Sequence, residues 1–151
     1  MLGEAADGPG VRPLDRALLV VAGVHQRGEL VEREHDVGTD LMLNTREYQE
    51  QSVSRTQAWA ERCVTAHERL TVERAGRPYQ ALFGVVQGAQ YEDLRRRSAR
   101  GLAALPMDGY GIGGALEKDQ LGTIVRWVCE ELPEDRPRHL LGIGEPDDIF
   151  A

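Results

Sequence analysis

The stretch QALFGVVQGAQYEDLRRRSARGLAAL, residues 80–105, decides the fold, because a strand pattern in it runs directly into a helix pattern. Residues 80–86 are mainly apolar, which predicts a buried strand that ends before Gln87 and Gly88. Residues 92–105 carry leucines at helical spacing. The stretch therefore predicts a strand, a short turn and a helix, which together form the first part of a βαβ unit.

The same order of patterns recurs further along the chain. DGYGIGG, residues 108–114, predicts a second strand, and residues 119–132 predict a strongly amphipathic helix. RHLLGI, residues 138–143, predicts a third strand. A repeat of roughly thirty residues is the size of a βαβ unit, so the alternation predicts an α/β fold with a parallel sheet.

The beginning of the chain has a different composition. Residues 1–40 are rich in glycine, proline and charge without a clear period, which predicts an irregular N-terminal segment with one short strand within residues 14–24. Residues 41–151 form the predicted folded domain. It opens with a long helix for which Asn44 or Thr45 is the expected N-cap.

Each of the three predicted strands ends in glycine or is followed by one, and the carboxyl ends of parallel strands are where α/β folds bind ligands. GYGIGG also matches the dinucleotide pattern G-x-G-x-x-G, but that motif should follow a strand and open a helix. Here a helix precedes it, which favours a strand end facing a substrate. The glycines concerned are Gly88, Gly113, Gly114, Gly142 and Gly144.

Three polar side chains near predicted strand ends or loops are candidates for ligand contact. Gln87 carries an amide that donates and accepts hydrogen bonds, so it could recognise the edge of a planar heterocycle or be an ordinary loop residue. Asp36 and Asp40 lie in a polar loop, where each is either a ligand for an amine or a surface acid.

Other groups are better explained by structure than by chemistry. The arginines of residues 95–97 and Arg100 predict a solvated helix face, with a phosphate contact as the alternative. His67, Cys63 and Cys129 lie on apolar helix faces, where packed core residues are the default.

Composition narrows the functional class. The 151-residue chain has a net charge of −7 and a pI of about 5.1, which argues against binding nucleic acid through bulk positive charge. Two cysteines make no disulfide framework and no metal cluster, and a reducing, cytoplasmic setting is expected. The sequence contains no apolar run long enough for a membrane span and no signal-peptide pattern.

Three blocks of the sequence together resemble one known family. YQALFGVVQGAQYEDLRRRS, DGYGIGG and RHLLGIGEPDD, in this order and spacing, resemble the bacterial tRNA-guanine transglycosylases, also called queuine tRNA-ribosyltransferases. LNTREYQEQSVSRTQAWAERC resembles the helix that precedes the first block, whereas residues 1–35 do not resemble the family. The resemblance implies part of a (β/α)8 barrel, with about three consecutive βα units after a long helix.

The resemblance also implies an activity and roles for particular residues. The family exchanges the wobble guanine of certain tRNAs for a 7-deazaguanine through a covalent aspartate–ribose intermediate, so tRNA and the purine base are the implied partners. Its base-binding positions correspond here to Gln87, Gly113, Gly114, Ala115, Leu141 and Asp36. Its tRNA-contacting segment corresponds to Gly142, Ile143, Gly144, Glu145, Pro146, Asp147 and Asp148.

Two features of the family are not found in these 151 residues. The resemblance places the nucleophilic aspartate in a Phe-Asp-Cys segment and the zinc ligands in a later cysteine cluster with a histidine, and the sequence contains neither. We therefore expect a partial chain with no catalytic aspartate and no cofactor of its own, although zinc is expected in full-length members. The alternatives are a non-catalytic module that forms a homodimer or docks with a full-length homologue, and an unrelated α/β-barrel enzyme for small molecules.

Overall fold

The computed structural model describes residues 20–21, 45–113 and 118–141. Their elements alternate between strand and helix as the sequence predicts. In chain order they are β1 (Val20–Val21), α1 (Arg46–Glu73), β2 (Leu82–Val86), α2 (Glu92–Ala103), β3 (Gly109–Ile112), α3 (Lys118–Cys129) and β4 (Arg138–Leu140).

The four strands form one parallel sheet in the order β1-β2-β3-β4, so each strand pairs with its neighbour in the sequence. This confirms the predicted α/β class with a parallel sheet. The short strand expected within residues 14–24 is β1, whose Val20 and Val21 pair with Leu82 and Phe83. None of the helices in the described residues is long and apolar enough to span a membrane.

The core lies between the helices and one face of the sheet. Leu82 and Val86 of β2 are 2% and 0% exposed, and they pack with buried side chains of the helices such as Leu102 and Val128. Phe83 and Val85 alternate with them and are half-buried. Strand side chains alternate between faces, so the helices cover one face and Phe83 and Val85 belong to the other.

The helices end earlier than the sequence predicts because apolar residues beyond their ends serve the core. Predicted helices over residues 92–105 and 119–132 end at Ala103 and Cys129. Leu105 packs against the core from the turn after α2, and Leu132, only 5% exposed, does so after α3. The leucines keep their helical spacing beyond the helix ends because residues in the following turns contact the same core.

Helix α1 begins where capping predicts, since Thr45 is its N-cap and the Thr45 Oγ1 accepts a hydrogen bond from the Tyr48 amide at 3.3 Å. Helical spacing also predicts one apolar face for this helix that includes Val53, Ala60 and Leu70, and the structure agrees only in part. Val53 and Ala60 are buried, but Leu70 is 42% exposed. A helix of 28 residues is about 42 Å long, whereas the five residues of β2 span about 17 Å, so the last turns of α1 extend past the sheet.

An ion-pair network joins α2 to the end of α3. Arg96 contacts Glu92, Glu130 and Glu131, at 2.8, 2.7 and 3.0 Å, and Arg100 also contacts Glu131 at 3.0 Å. The hydrogen bond from Arg96 holds the pKa of Glu131 below its usual value, and the three carboxylates raise the pKa of Arg96. These two arginines are therefore occupied within the fold instead of forming a free basic face.

The Glu131 contact predicts a specific pH dependence of stability. Because folding lowers the pKa of Glu131 below 4.5, its contribution is full above that pH and is lost as the pH falls through the folded-state pKa. Glu131→Gln should therefore lower the free energy of unfolding at pH 7 and flatten its decline below about pH 4.5. Urea unfolding at pH 7, 4.5 and 3 measures this difference.

The control is Glu134→Gln, which changes an exposed acid in the following turn for which no ion pair is seen among the described residues. It should leave the pH dependence close to that of the wild type. Parallel pH profiles for wild type and Glu131→Gln would show that the Arg96–Glu131 contact does not stabilise the fold.

Candidate functional site

The three sequence-predicted site residues in the described part of the chain follow adjacent strands at the same level of the sheet. Val86 of β2 pairs with Ile112 of β3, and Ile112 pairs with Leu140 of β4. The next residue of each strand is Gln87, Gly113 and Leu141 respectively. The structure therefore brings these three residues together in one row at the carboxyl edge of the sheet.

This row belongs to the face of the sheet opposite the described helices. Val86 and Ile112 are both fully buried in the core on the helix side. Because side chains alternate along a strand, the following residue of each strand falls on the opposite face. In a closed parallel barrel that face points inward, and its carboxyl end is the position of the active site.

Leu141 lies over Gly111 of β3 and over Gly113, the residue that follows β3. A Cβ atom added to Gly111 would be 2.7 Å from the Leu141 Cδ1, and one added to Gly113 would be 2.9 Å from the Leu141 Cβ. The Leu141 amide also donates to the Ile112 carbonyl at 2.7 Å. Leu141 and Gly113 are thus in direct contact, and the half-buried Leu141 gives this part of the row an apolar surface.

Gln87 opens a tight turn between β2 and α2. Gly88 has φ +126° and Ala89 has φ +46°, and both values lie in the region that side chains disfavour. Gln87 itself is 7% exposed. In so dry a setting a hydrogen bond to a ligand edge is stronger than one made in bulk water.

Two residues of α2 hold this turn, and neither was predicted as part of a site. The Gln87 amide donates to the Ser98 Oγ at 3.0 Å. Arg95 donates from Nε to the Ala89 carbonyl at 2.7 Å and from Nη1 to the Val86 carbonyl at 3.1 Å. Side chains of α2 therefore stabilise the conformation of this turn.

The prediction of a solvated face was wrong for Arg95, which is 0% exposed. The alternative of a phosphate contact has no support at this position either, because its side chain is directed to backbone carbonyls. The spacing could have revealed the burial. Arg95 stands three, four and seven residues before Ser98, Ala99 and Leu102, all of which are buried on the same face of α2.

Arg97 also contacts the fold, donating to the Glu50 carbonyl and to the Ser54 Oγ of α1.

His67 is a packed residue, as predicted: its Nε2 donates to the Gln80 carbonyl at 2.7 Å and its ring meets that of Tyr79 edge-on. Cys63 and Cys129 form no disulfide and are half-buried against the core. Within the described residues, no three His, Cys, Asp or Glu side chains are grouped as metal ligands.

The remaining predicted positions lie outside the described residues. They are Asp36, Asp40, Gly114, Ala115 and residues 142–148.

The geometry of the turn predicts that alanine destabilises the fold much more at Gly88 than at Gly76, although both glycines have positive φ. A Cβ at Gly88 would lie 2.6 Å from the Arg95 amide nitrogen and 2.8 Å from the Leu94 carbonyl carbon, whereas one at Gly76 (φ +88°) would meet nothing within 4 Å. Gly76→Ala should cost about 1 kcal/mol from backbone strain. Gly88→Ala should cost about 3 kcal/mol or more, because a backbone clash is added. Urea unfolding compares them, and equal losses would contradict the tight packing of the turn on α2.

Comparison with known proteins agrees with the resemblance seen in the sequence. A family model described as queuine tRNA-ribosyltransferase matches residues 36–151. The chain therefore belongs to the queuine tRNA-ribosyltransferase family. The match begins five residues before the domain boundary placed at residue 41, and that boundary stays a prediction.

Individual relatives carry the same name. A queuine tRNA-ribosyltransferase of Geobacillus thermodenitrificans is 44% identical over 109 residues, covering 70% of this chain and 27% of that protein. One from Bacillus mycoides is 37% identical over an alignment of 152 positions, covering 85% of this chain and 38% of that protein. Another from Lysinibacillus sphaericus is 38% identical with the same coverage. The chain thus spans about a third of the length of the curated relatives it matches.

Proposed function

We propose that these residues form the base-recognition and tRNA-contact part of a tRNA-guanine transglycosylase, which exchanges guanine for a 7-deazaguanine in tRNA. The observation that carries the proposal is the row of Gln87, Gly113 and Leu141 at the carboxyl edge of one parallel sheet. These are three of the positions at which the family resemblance implies base binding.

The chemistry of the row suits a purine. The Gln87 side chain offers two N–H donors and a carbonyl acceptor, which can pair with a purine edge that presents both kinds of group. Gly113 has no side chain, so Leu141 can lie directly against its backbone. Leu141 supplies an apolar surface for the face of the base. An enzyme that removes a base from RNA must read it by such edge and face contacts after extruding it.

We propose that the sheet is a segment of a (β/α)8 barrel. Sequential order with all strands parallel is what a barrel segment has, whereas a doubly wound sheet reverses its strand order at a switch point. A complete barrel takes about 250 residues, so these elements supply about three βα units and the preceding long helix.

Further contacts are assigned by resemblance. We propose that Asp36, Gly114 and Ala115 contact the base and that residues 142–148 contact tRNA. The family resemblance implies zinc in full-length members, but the described residues contain no group of side chains suited to bind it, so no metal-dependent step is assigned to them. A tRNA substrate favours a cytoplasmic location.

Recognition of a base gives a direct binding test. Gln87→Ala should weaken the binding of guanine at least tenfold, because a hydrogen-bonded pair at a dry site contributes about 1.5 kcal/mol. Equilibrium dialysis with labelled guanine measures the dissociation constant. Gln90→Ala is the matched control, since it removes the same group three residues later in the same turn and should change affinity by less than twofold.

Two results would count against the proposal. If the wild-type chain does not bind guanine, the proposed function is wrong. If Gln87→Ala and Gln90→Ala weaken binding equally, the turn as a whole and not the Gln87 amide governs affinity.

Base exchange itself should need more than these residues. The covalent step of the family requires a nucleophilic aspartate, and the 151 residues lack the Phe-Asp-Cys segment in which the resemblance places it. We therefore expect no incorporation of labelled guanine into tRNA by this chain alone. A full-length homologue assayed alongside is the positive control.

Turnover by the chain alone would contradict this expectation. Stimulation of the homologue by the chain, with no activity of its own, would favour the alternative of a non-catalytic partner module.

A further inference from the structure

We propose that Ser98 and Arg95 of α2 are positioning residues that set the orientation of Gln87 for base recognition. The inference rests on the proposed function and names residues that act through Gln87 instead of touching the base. It follows from three sets of contacts between α2 and the turn after β2.

The first contact fixes the start of the turn. The Gln87 amide lies beyond the last residue of β2 and donates to the Ser98 Oγ at 3.0 Å. Ser98 is 4% exposed, so water does not readily replace its hydroxyl. Leaving the amide without this acceptor would cost about 1–3 kcal/mol, or would turn the peptide toward another partner. The first result loosens the turn, and the second would move the Gln87 side chain.

The second contact spans the turn. Arg95 binds the Val86 carbonyl through Nη1 and the Ala89 carbonyl through Nε, so a single guanidinium joins the two residues that flank Gln87 and Gly88. The planar guanidinium presents its donors in a fixed fork, which a lysine ammonium does not reproduce. Burying a charged group completely is costly unless it is well hydrogen-bonded. A buried arginine at this place is therefore best explained by the geometry it imposes on the turn.

The third contact is direct packing. The site of an absent Cβ on Gly88 is 2.6 Å from the Arg95 amide nitrogen, so the turn rests on the first turn of α2 with no side chain between them. The Tyr91 amide also donates to the Gly88 carbonyl at 3.0 Å. Any displacement of α2 is passed to Gln87 without a flexible link.

These contacts matter because edge recognition depends on precise placement. A productive hydrogen-bonding constellation must be held within about 0.5 Å, and positive φ at Gly88 and Ala89 is held only while neighbours enforce it. Arg95 and Ser98 of α2 thus act as a rigid support for Gln87.

The test measures the local order of Gln87 and the affinity for guanine in the same variants. In Ser98→Ala we expect the Gln87 amide to exchange hydrogen at least tenfold faster, with amides of α1 unchanged, and guanine affinity to fall about tenfold. Ser98→Thr keeps the hydroxyl and should restore both. Arg95→Lys keeps the charge but not the fork, and it should weaken guanine binding.

Two further variants control for loss of folding and for a general disturbance of α2. Ser98→Cys keeps the volume but offers a weaker acceptor, so it should give an intermediate loss if Ser98→Ala does not fold. Arg96→Gln breaks an ion-pair network on the same helix and should leave Gln87 exchange and guanine affinity unchanged.

The outcomes separate this inference from the proposed function. Unchanged Gln87 exchange in Ser98→Ala and Ser98→Cys overturns the inference, and so does faster exchange with unchanged guanine affinity. A wild-type chain that binds no guanine overturns the proposed function and the inference with it. Wild-type binding that Gln87→Ala abolishes and Ser98→Ala leaves intact overturns the inference alone.

Discussion

The in-register pairing of β2, β3 and β4 is the constraint on which the site depends. Hydrogen bonding between parallel strands fixes Val86, Ile112 and Leu140 at one level, so the residues that follow the three strands leave the sheet at the same level. A slip of one residue in any strand would exchange the two faces and remove that strand's contribution to the row. Burial of Val86 and Ile112 on the helix side opposes such a slip, because each would have to leave the core.

The sequence was most informative where one force dominated. Alternation of apolar runs with helical spacing predicted the parallel sheet, and the candidate residues Gln87, Gly113 and Leu141 do lie together at its carboxyl edge. Prediction was weaker where a residue type carries a strong prior of its own. Arg95 was assigned to solvent because arginine is almost never fully buried, although its spacing relative to Ser98 and Leu102 placed it on the core face.

The ends of the helices were also predicted less well than their positions in the chain. Apolar periodicity reports which residues meet the core, not which residues keep helical backbone angles. Leu105 and Leu132 meet the core from turns, while Leu70 keeps helical geometry beyond the reach of the sheet. Tertiary placement decided each of these cases, and a single sequence does not contain it.

The glycines in and just after β3 determine which side chains shape the face of the sheet opposite the helices. Phe83 of β2 approaches Gly109 from one side, and Leu141 covers Gly111 and Gly113 from the other. On this face β3 contributes no side chains, and Phe83 and Leu141 lie over it from the neighbouring segments. A smaller residue at position 83 or 141 would therefore open space over these glycines while the backbone beneath them stays the same.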